Sequence, residues 1–185
     1  MSTMVENMKA LATLWHGKDT APRKESNLPA ISHPTRVVTM LEKWGVTDPR
    51  TLSIGWGHDL LEDTSVDRLE IMKVSEPFVM DCIQLLTFMR FGEPDPYSPT
   101  EYKAAKEAYI MKVATTAPAE ALTVKIADRL SNTMEFLENG HHHKPIKYFK
   151  KGRPLFNELN RIDQPLRNAI IAEIDATKKA IGWRD

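Results

Sequence analysis

The sequence predicts an all-α fold: a compact helical bundle of about seven to nine helices. Apolar residues recur at spacings of three and four along most of the chain, which is typical of amphipathic helices. Twelve prolines and eight glycines separate these segments, and alternating β-branched runs are few. The length of 185 residues is that of one domain, so we expect residues 1–185 to form a single unit.

The first half of the chain divides into five predicted helices. The first carries Met4, Met8, Leu11 and Trp15 on one face, and a polar loop follows it at residues 19–29. Ser32, His33 and Pro34 have the pattern of a helix start, and Gly45 that of a helix end. Further helices are predicted at residues 49–63, from Ser65 or Asp67 onward, and at residues 76–89.

The second half of the chain is predicted to be helical, with one proline-rich loop before its helices and one break within its tail. A proline-rich loop at residues 92–99 precedes helices at residues 100–116 and 118–137. The tail, residues 145–183, is expected to form one or two helices that separate near Pro165.

Composition excludes several classes of protein. Lys plus Arg equals Asp plus Glu at 25 each, which argues against a protein that coats a nucleic acid polymer or an acidic membrane. The single cysteine, Cys82, excludes an internal disulfide and a zinc site of several cysteines. No apolar run reaches the ~18 residues of a membrane span, and residues 1–10 do not resemble a signal peptide. We therefore expect a cytoplasmic protein.

Charged residues stand inside segments that otherwise suit a core. His58, Asp59, Glu62 and Asp63 flank Leu60 and Leu61, and Asp128 lies among apolar residues. Charged groups are rarely buried unless they are paired or bind metal. Two histidines, His33 and His58, with two aspartates, Asp59 and Asp128, would make a metal site of imidazole and carboxylate ligands. Such a set suits Mn²⁺, Fe²⁺, Zn²⁺ or Mg²⁺ and leaves room for water and a substrate oxygen.

Each residue taken alone has a simpler interpretation. His33 before a proline can serve only as a helix cap, and Glu62 and Asp63 can form a solvated helix end. Asp128 and Arg129 can be a surface ion pair. The metal-site hypothesis depends on the order and context of these residues together.

Three longer strings give the pattern a family resemblance: "ISHPTRVVTMLEKWGV", "HDLLEDTSV" and "VKIADRLSN". The order His33, His58, Asp59 and Asp128 resembles the HD metal-dependent phosphohydrolases. The Glu-Asp-Thr that follows the His-Asp pair narrows the resemblance to the hydrolase domain of RelA/SpoT proteins and to the stand-alone, Mesh-type small alarmone hydrolases. It covers a motif core of about residues 24–137 and extends to the helical tail.

The resemblance implies a reaction and roles for particular residues. The reaction is removal of the 3′-pyrophosphate of guanosine tetra- or pentaphosphate by attack of metal-bound water, with Mn²⁺ the usual ion and Zn²⁺, Fe²⁺, Co²⁺ or Mg²⁺ as alternatives. His33, His58, Asp59 and Asp128 would hold the ion, and Glu62 and Asp63 would activate the water. The implied substrate-binding residues are Lys24, Ser26, Lys103, Lys106, Asn132 and Tyr148. A solvated helix face remains the alternative for Lys103 and Lys106, and surface packing for Tyr148.

Two departures from the family leave the substrate open. Lys24 stands where the family usually has arginine, and Ala30 where it usually has tyrosine. A lysine lacks the planar group that stacks on a base, and alanine leaves a gap. The alternatives are hydrolysis of deoxynucleoside triphosphates, as in a phage enzyme, of another nucleotide such as NADPH, or nucleotide binding without catalysis. A homo-oligomer is also left open.

Overall fold

The computed structural model describes residues 2–184 and confirms the all-α prediction, since no strand occurs in that range. The part preceding the central helix contains α1 (Thr3–Asp19), α2 (Ser32–Lys43), α3 (Pro49–Gly57), α4 (Leu60–Asp63), α5 (Arg68–Val74), α6 (Pro77–Leu86) and α7 (Pro99–Thr116). The remainder contains α8 (Ala119–Glu138), α9 (His143–Lys151), α10 (Arg153–Phe156), a 3₁₀ turn (Leu159–Arg161) and α11 (Gln164–Ala180).

Local sequence signals account for most helix boundaries. Asp48 caps α3 by accepting from the amide of Thr51, and Ser98 with Glu101 forms a reciprocal capping box at α7. Prolines open α3, α6, α7 and α11, where a missing amide proton costs nothing. Gly45 follows α2 with φ of 85°, a backbone conformation that favours glycine.

Helix α8 is the central element of the bundle. It packs against α2, α3, α6, α9, α10 and α11. Its apolar residues Leu122, Val124, Ile126, Ala127 and Leu130 are fully buried. Because neighbours surround it, four of its charged residues are also buried, namely Lys125, Asp128, Arg129 and Glu135.

The prediction of one helix over residues 49–63 is wrong in an informative way. The helix ends at Gly57, and a new turn begins at Leu60. The Nδ1 atom of His58 lies 2.8 Å from the carbonyl of Gly55, the carbonyl that a continuous helix would present to the amide of Asp59. A Cβ on Gly57 would lie 2.5 Å from Cδ1 of Ile83, so close packing against α6 also requires glycine here. The break turns His58 and Asp59 toward the same point.

The tail contains more segments than predicted, although the break before Pro165 is confirmed. Residues 143–180 form α9, α10, a 3₁₀ turn and α11. Phe149 of α9 is buried against the rings of Phe156 and Trp183 and belongs to the same apolar core as the preceding helices. Nine of the described α-helices have seven or more residues, which agrees with the predicted number, and the two extra ones have only four. None of the described helices could cross a membrane.

Candidate metal centre and substrate cleft

Three helical segments bring two histidines and two aspartates together. Nε2 of His33, on α2, lies 3.2 Å from Nε2 of His58 and 3.4 Å from Oδ2 of Asp59, at the break after α3. It also lies 3.2 Å from Oδ1 of Asp128 on α8. Nε2 of His58 lies 3.2 Å from Oδ2 of Asp59. His33 and His58 are 2% and 0% exposed, so neither is a solvent-exposed helix cap.

Neighbouring groups fix the orientation of these side chains. The carbonyl of Gly55 can only accept, so Nδ1 of His58 is its donor and Nε2 is left to face the cluster. Asp128 accepts from Nδ2 of Asn132 at 2.5 Å and from Nζ of Lys125 at 2.9 Å. Asp128 and Arg129 are both buried, which excludes the surface ion pair that the sequence left open.

The carboxylates give this point of the protein a preference for positive charge. Burial by itself would raise the pKa of Asp128, but Lys125 and His33 hold it well below its usual range. Burial would likewise lower the pKa of His58, yet the charge of Asp59 raises it to about 9. A cation placed among these groups would be stabilised in the same way.

The donor set fits a divalent metal ion. His33, His58 and Asp59 offer ligand atoms that all lie within 4.8 Å of one another. The individual separations of 3.2–3.4 Å are those of neighbouring ligands on an ion with bonds of about 2.0–2.2 Å. Asp128 supplies an oxygen at the same spacing from His33. Imidazole and carboxylate ligands without a thiolate favour a first-row transition metal over Ca²⁺.

Glu62 and Asp63 lie on α4, beside the proposed ligands, and the pKa of each is raised. Burial raises the pKa of Asp63 to about 7, and the charges of Asp59 and Glu62 add to the effect. Burial also raises the pKa of Glu62. Glu62 accepts a hydrogen bond of 3.1 Å from the amide of Phe88, because α6 ends at Leu86 rather than at the predicted Met89. Asp63 can therefore exchange a proton near neutral pH.

A polar cavity of about 160 Å³ adjoins the cluster. Carboxylates line one part of it, and basic and aromatic side chains line the rest. The residues around this cavity are Arg23, Asp59, Glu62, Asp63, Phe88, Lys106, Tyr109, Ile110, Lys125, Asp128, Arg129, Asn132 and Tyr148. We call this cavity the polar cleft. Its mixture of acidic and basic groups suits a metal ion and a phosphorylated ligand together.

A second cavity of about 310 Å³ shares Arg23, Asp59 and Asp63 with the polar cleft. Asp59, Asp63 and His33 line it together with apolar groups, among them Pro22, Ala30 and Phe136. We call it the apolar cavity. Arg23 lines both spaces and is held by Glu135, at 2.5 Å, and by Asn132, at 2.6 Å. Of the candidate ligands, Asp59 lines both cavities, Asp128 the polar cleft and His33 the apolar cavity.

The predicted substrate residues fall into three groups. Lys106, Asn132 and Tyr148 line the polar cleft, and Lys24 lines the apolar cavity with an exposed side chain. Ser26 donates to Glu135 at 2.8 Å and so helps to hold Arg23 in place. Lys103 is exposed on α7 and is not among the residues lining either cavity.

Six residues of the cleft were not predicted from the sequence, including Tyr109 and Ile110 of α7. Lys125 and Arg129 lie one turn apart on α8, on the same face as Asp128 and Asn132, so helical spacing could have indicated them. Arg23 was visible only as a neighbour of Lys24. Nothing local indicated Phe88, because its position depends on where α6 ends and on its distant partner Glu62.

Comparisons with curated proteins find several whose sequences are similar to this chain. No family model matches the chain. A GTP pyrophosphokinase of Streptomyces coelicolor is 30% identical over 148 residues, which cover 77% of this chain and 16% of that protein. A guanosine-3′,5′-bis(diphosphate) 3′-pyrophosphohydrolase of Borreliella burgdorferi is 30% identical over 127 residues, which cover 67% of this chain and 18% of that protein. A probable enzyme of the same name from Mycoplasma pneumoniae is 28% identical over 128 residues, which cover 66% of this chain and 17% of that protein. The chain spans about a sixth of the length of these relatives.

The fold has a full-length counterpart among solved structures. A metazoan ortholog of SpoT, described as hydrolysing ppGpp, superposes with a TM-score of 0.76 at 18% identity, over 100% of this chain and 98% of the other. The all-α fold of a SpoT ortholog is therefore confirmed for this chain. So is its resemblance to guanosine-3′,5′-bis(diphosphate) 3′-pyrophosphohydrolases.

Proposed function

We propose that this chain, which has the fold of a SpoT ortholog, is a metal-dependent phosphohydrolase that removes the 3′-pyrophosphate of guanosine tetra- or pentaphosphate. The observation that carries the proposal is the convergence of His33, His58, Asp59 and Asp128 beside two carboxyl groups of raised pKa. The names of the similar proteins supply the substrate class. The products would be GDP or GTP and pyrophosphate.

The four ligands would hold a divalent ion, for which we propose Mn²⁺. Such an ion lowers the pKa of water and polarises a phosphoryl oxygen when it is bound. The protein's own contribution is to present four ligand atoms at fixed spacing, since His58 is oriented by Gly55 and Asp128 by Asn132 and Lys125. Zn²⁺, Fe²⁺, Co²⁺ and Mg²⁺ remain alternatives that a metal titration would separate.

Glu62 and Asp63 would handle the protons of the reaction. A carboxyl group with a pKa of about 7, as in Asp63, can take a proton from the attacking water and return it to a leaving group at neutral pH. The amide of Phe88 fixes Glu62, so that this carboxylate can orient the water. Water would attack the phosphorus bonded to the ribose 3′ oxygen. The phosphorus–oxygen bond would break, and the 3′ oxygen would leave as a hydroxyl with the returned proton.

The two cavities suggest how a nucleotide would lie. The polar cleft offers Lys106 and other cations for phosphates, whereas the apolar cavity offers Pro22 and Phe136 to a base and sugar. Asn132 lies beside Arg23 and would contact the nucleoside. Lys24, Ser26, Lys103 and Tyr148 stay predicted contributors to substrate binding.

A second candidate function keeps the metal chemistry but changes the nucleotide. Ala30 lines the apolar cavity, so the space where the resembled family usually has tyrosine is open, and Lys24 is exposed. These observations favour a pocket suited to a deoxynucleoside triphosphate or to NADPH. A regulator that binds nucleotide without catalysis is less well supported, because both perturbed carboxyl groups accompany the complete ligand set.

The test is product analysis with purified protein and Mn²⁺, in which ppGpp, each deoxynucleoside triphosphate and NADPH are offered side by side. We expect pyrophosphate and GDP from ppGpp. Asp59→Asn, Glu62→Gln and Asp63→Asn should each reduce turnover at least about a hundredfold. Asp81→Asn, which changes an exposed carboxylate on α6, should leave turnover unchanged. Turnover of another nucleotide alone would reject the substrate, and full activity of Asp59→Asn would reject the metal centre.

A further inference from the structure

Arg129 is a buried cation in the polar cleft whose charge has no partner among the described residues. It is 3% exposed, and its Nε atom is buried without a hydrogen-bond partner. In the described part of the chain its guanidinium forms no salt bridge. A charge removed from water costs several kcal/mol unless an opposite charge or hydrogen bonds compensate for it. The position therefore suits an anion that arrives with a ligand.

The other basic residues of the cleft differ from Arg129. Arg23 is paired with Glu135 at 2.5 Å, and Lys125 with Asp128 at 2.9 Å. Lys106 is only partly buried, and its Nζ lies 5.4 Å from the ring centre of Phe88. Arg129 is thus the deeply buried cation that remains available among the described residues lining this cleft.

The surrounding structure holds Arg129 in a fixed position. Its guanidinium carbon lies 4.0 Å from the ring centre of Tyr148, so one face of the planar group is covered by an aromatic ring. Gly152 packs against its stem: a Cβ on Gly152 would lie 2.7 Å from Cγ of Arg129. Its N–H groups are donors in a planar fork, a geometry that matches two phosphate oxygens.

We propose that Arg129, stacked on Tyr148, binds the pyrophosphate group of the substrate in the polar cleft. Arg129 and Asp128 both line the polar cleft, so a pyrophosphate bound to the guanidinium would lie close to the proposed metal ligands. Tyr148 is then a positioning residue that limits the guanidinium to one plane. The inference deepens the proposed function by assigning the anion site to one side chain, and it rests on the substrate having a pyrophosphate group.

The experiment uses inorganic pyrophosphate as the probe, titrated into the full chain by calorimetry in buffer with Mg²⁺. We expect Arg129→Met to raise the Kd at least about tenfold, as for the loss of a charge-assisted hydrogen bond. Arg129→Lys keeps the charge without the planar fork and should raise the Kd by about threefold or more. Lys112→Met, which removes an exposed cation on α7, should bind pyrophosphate as the unchanged protein does.

Two further measurements separate this role from others. If Arg129 only balanced the charge of the carboxylates, Arg129→Met would change Mn²⁺ affinity and leave the Kd for pyrophosphate unchanged, which would overturn the proposal. If Arg129→Met does not fold, an unaltered Kd in Arg129→Lys would overturn it equally. Turnover of ppGpp is measured in parallel. Pyrophosphate binding that depends on Arg129 without ppGpp turnover would support this site and reject the proposed substrate. Turnover of ppGpp with a KM that does not depend on Arg129 would support the proposed substrate and reject this site.

Discussion

His16 should make the stability of this protein fall in mild acid. The side chain lies on α1 and is 2% exposed, and its Nε2 atom has no hydrogen-bond partner among the described residues. Burial lowers its pKa to about 4. The charge of Asp59 opposes this shift, whereas the positive charges of His58, His33 and Arg23 add to it.

The size of the effect follows from the two pKa values. The unfolded chain binds a proton on His16 with a pKa near 6.5, whereas the folded chain does so only near 4. Protonation between these values therefore favours the unfolded state. Stability is complete above about pH 6.5 and is lost progressively as the pH falls toward 4. At pH 5 the loss from His16 alone is about 2 kcal/mol in the free energy of unfolding.

The assay is urea unfolding at pH 8 and pH 5, with EDTA present, of the unchanged protein and of His16→Gln. Glutamine does not titrate, so the variant should lose about 2 kcal/mol less between the two conditions. His142→Gln, which replaces an exposed histidine, serves as the matched control and should follow the unchanged protein. The reasoning would be refuted if His16→Gln and the unchanged protein lost equal stability on acidification.

Three more predictions follow from the packing and charges of the site. Gly57→Ala should lower the free energy of unfolding by about 1–3 kcal/mol because the new Cβ meets Ile83, and it should weaken Mn²⁺ binding through the adjacent His58. Gly17→Ala, whose Cβ has open space around it, should not destabilise the protein. Thermal unfolding measures the first effect and metal titration the second. Arg23→Met should lower the free energy of unfolding in urea by about 3 kcal/mol, because it leaves the buried carboxylate of Glu135 without its cation. Arg36→Met breaks an exposed pair with Glu138 and should lower it by less than about 1 kcal/mol. Equal losses in the two variants would contradict the argument. Lys125→Met should lower the Tm in EDTA yet bind Mn²⁺ at least about tenfold more tightly, because a cation 2.9 Å from Asp128 is removed. Lys103→Met should leave the metal affinity unchanged. The same unchanged affinity in Lys125→Met would argue against Asp128 as a ligand.

The sequence predicted the candidate metal ligands because charged residues there interrupt segments that are otherwise apolar. His58, Asp59 and Asp128 stand in apolar segments, and such groups persist in a core only when something compensates their charge. Proline and capping residues likewise predicted most helix boundaries, since those signals act within one turn.

The predicted helix over residues 49–63 fails for a related reason. Helical propensity and apolar spacing favour continuity there, but the break depends on contacts that the local sequence does not contain. The ring of His58 takes the carbonyl of Gly55, and Gly57 packs against Ile83 on a helix more than twenty residues later. Tertiary packing therefore overrides the local pattern at the residue pair that matters most for the site.

By itself, the sequence determined the all-α class, the positions of the longer helices and the residues that would meet at a metal centre, because helix signals are local and a buried charge is conspicuous. Only the tertiary structure decided which side chain covers Arg129. Lys125 and Arg129 lie on the same helix, yet one is paired with Asp128 and the other is left with Tyr148 against its face. The pair of Lys125 with Asp128 follows from a spacing of three residues along α8, whereas the contact of Arg129 with Tyr148 arises from how α9 packs on α8, which spacing along one helix does not determine.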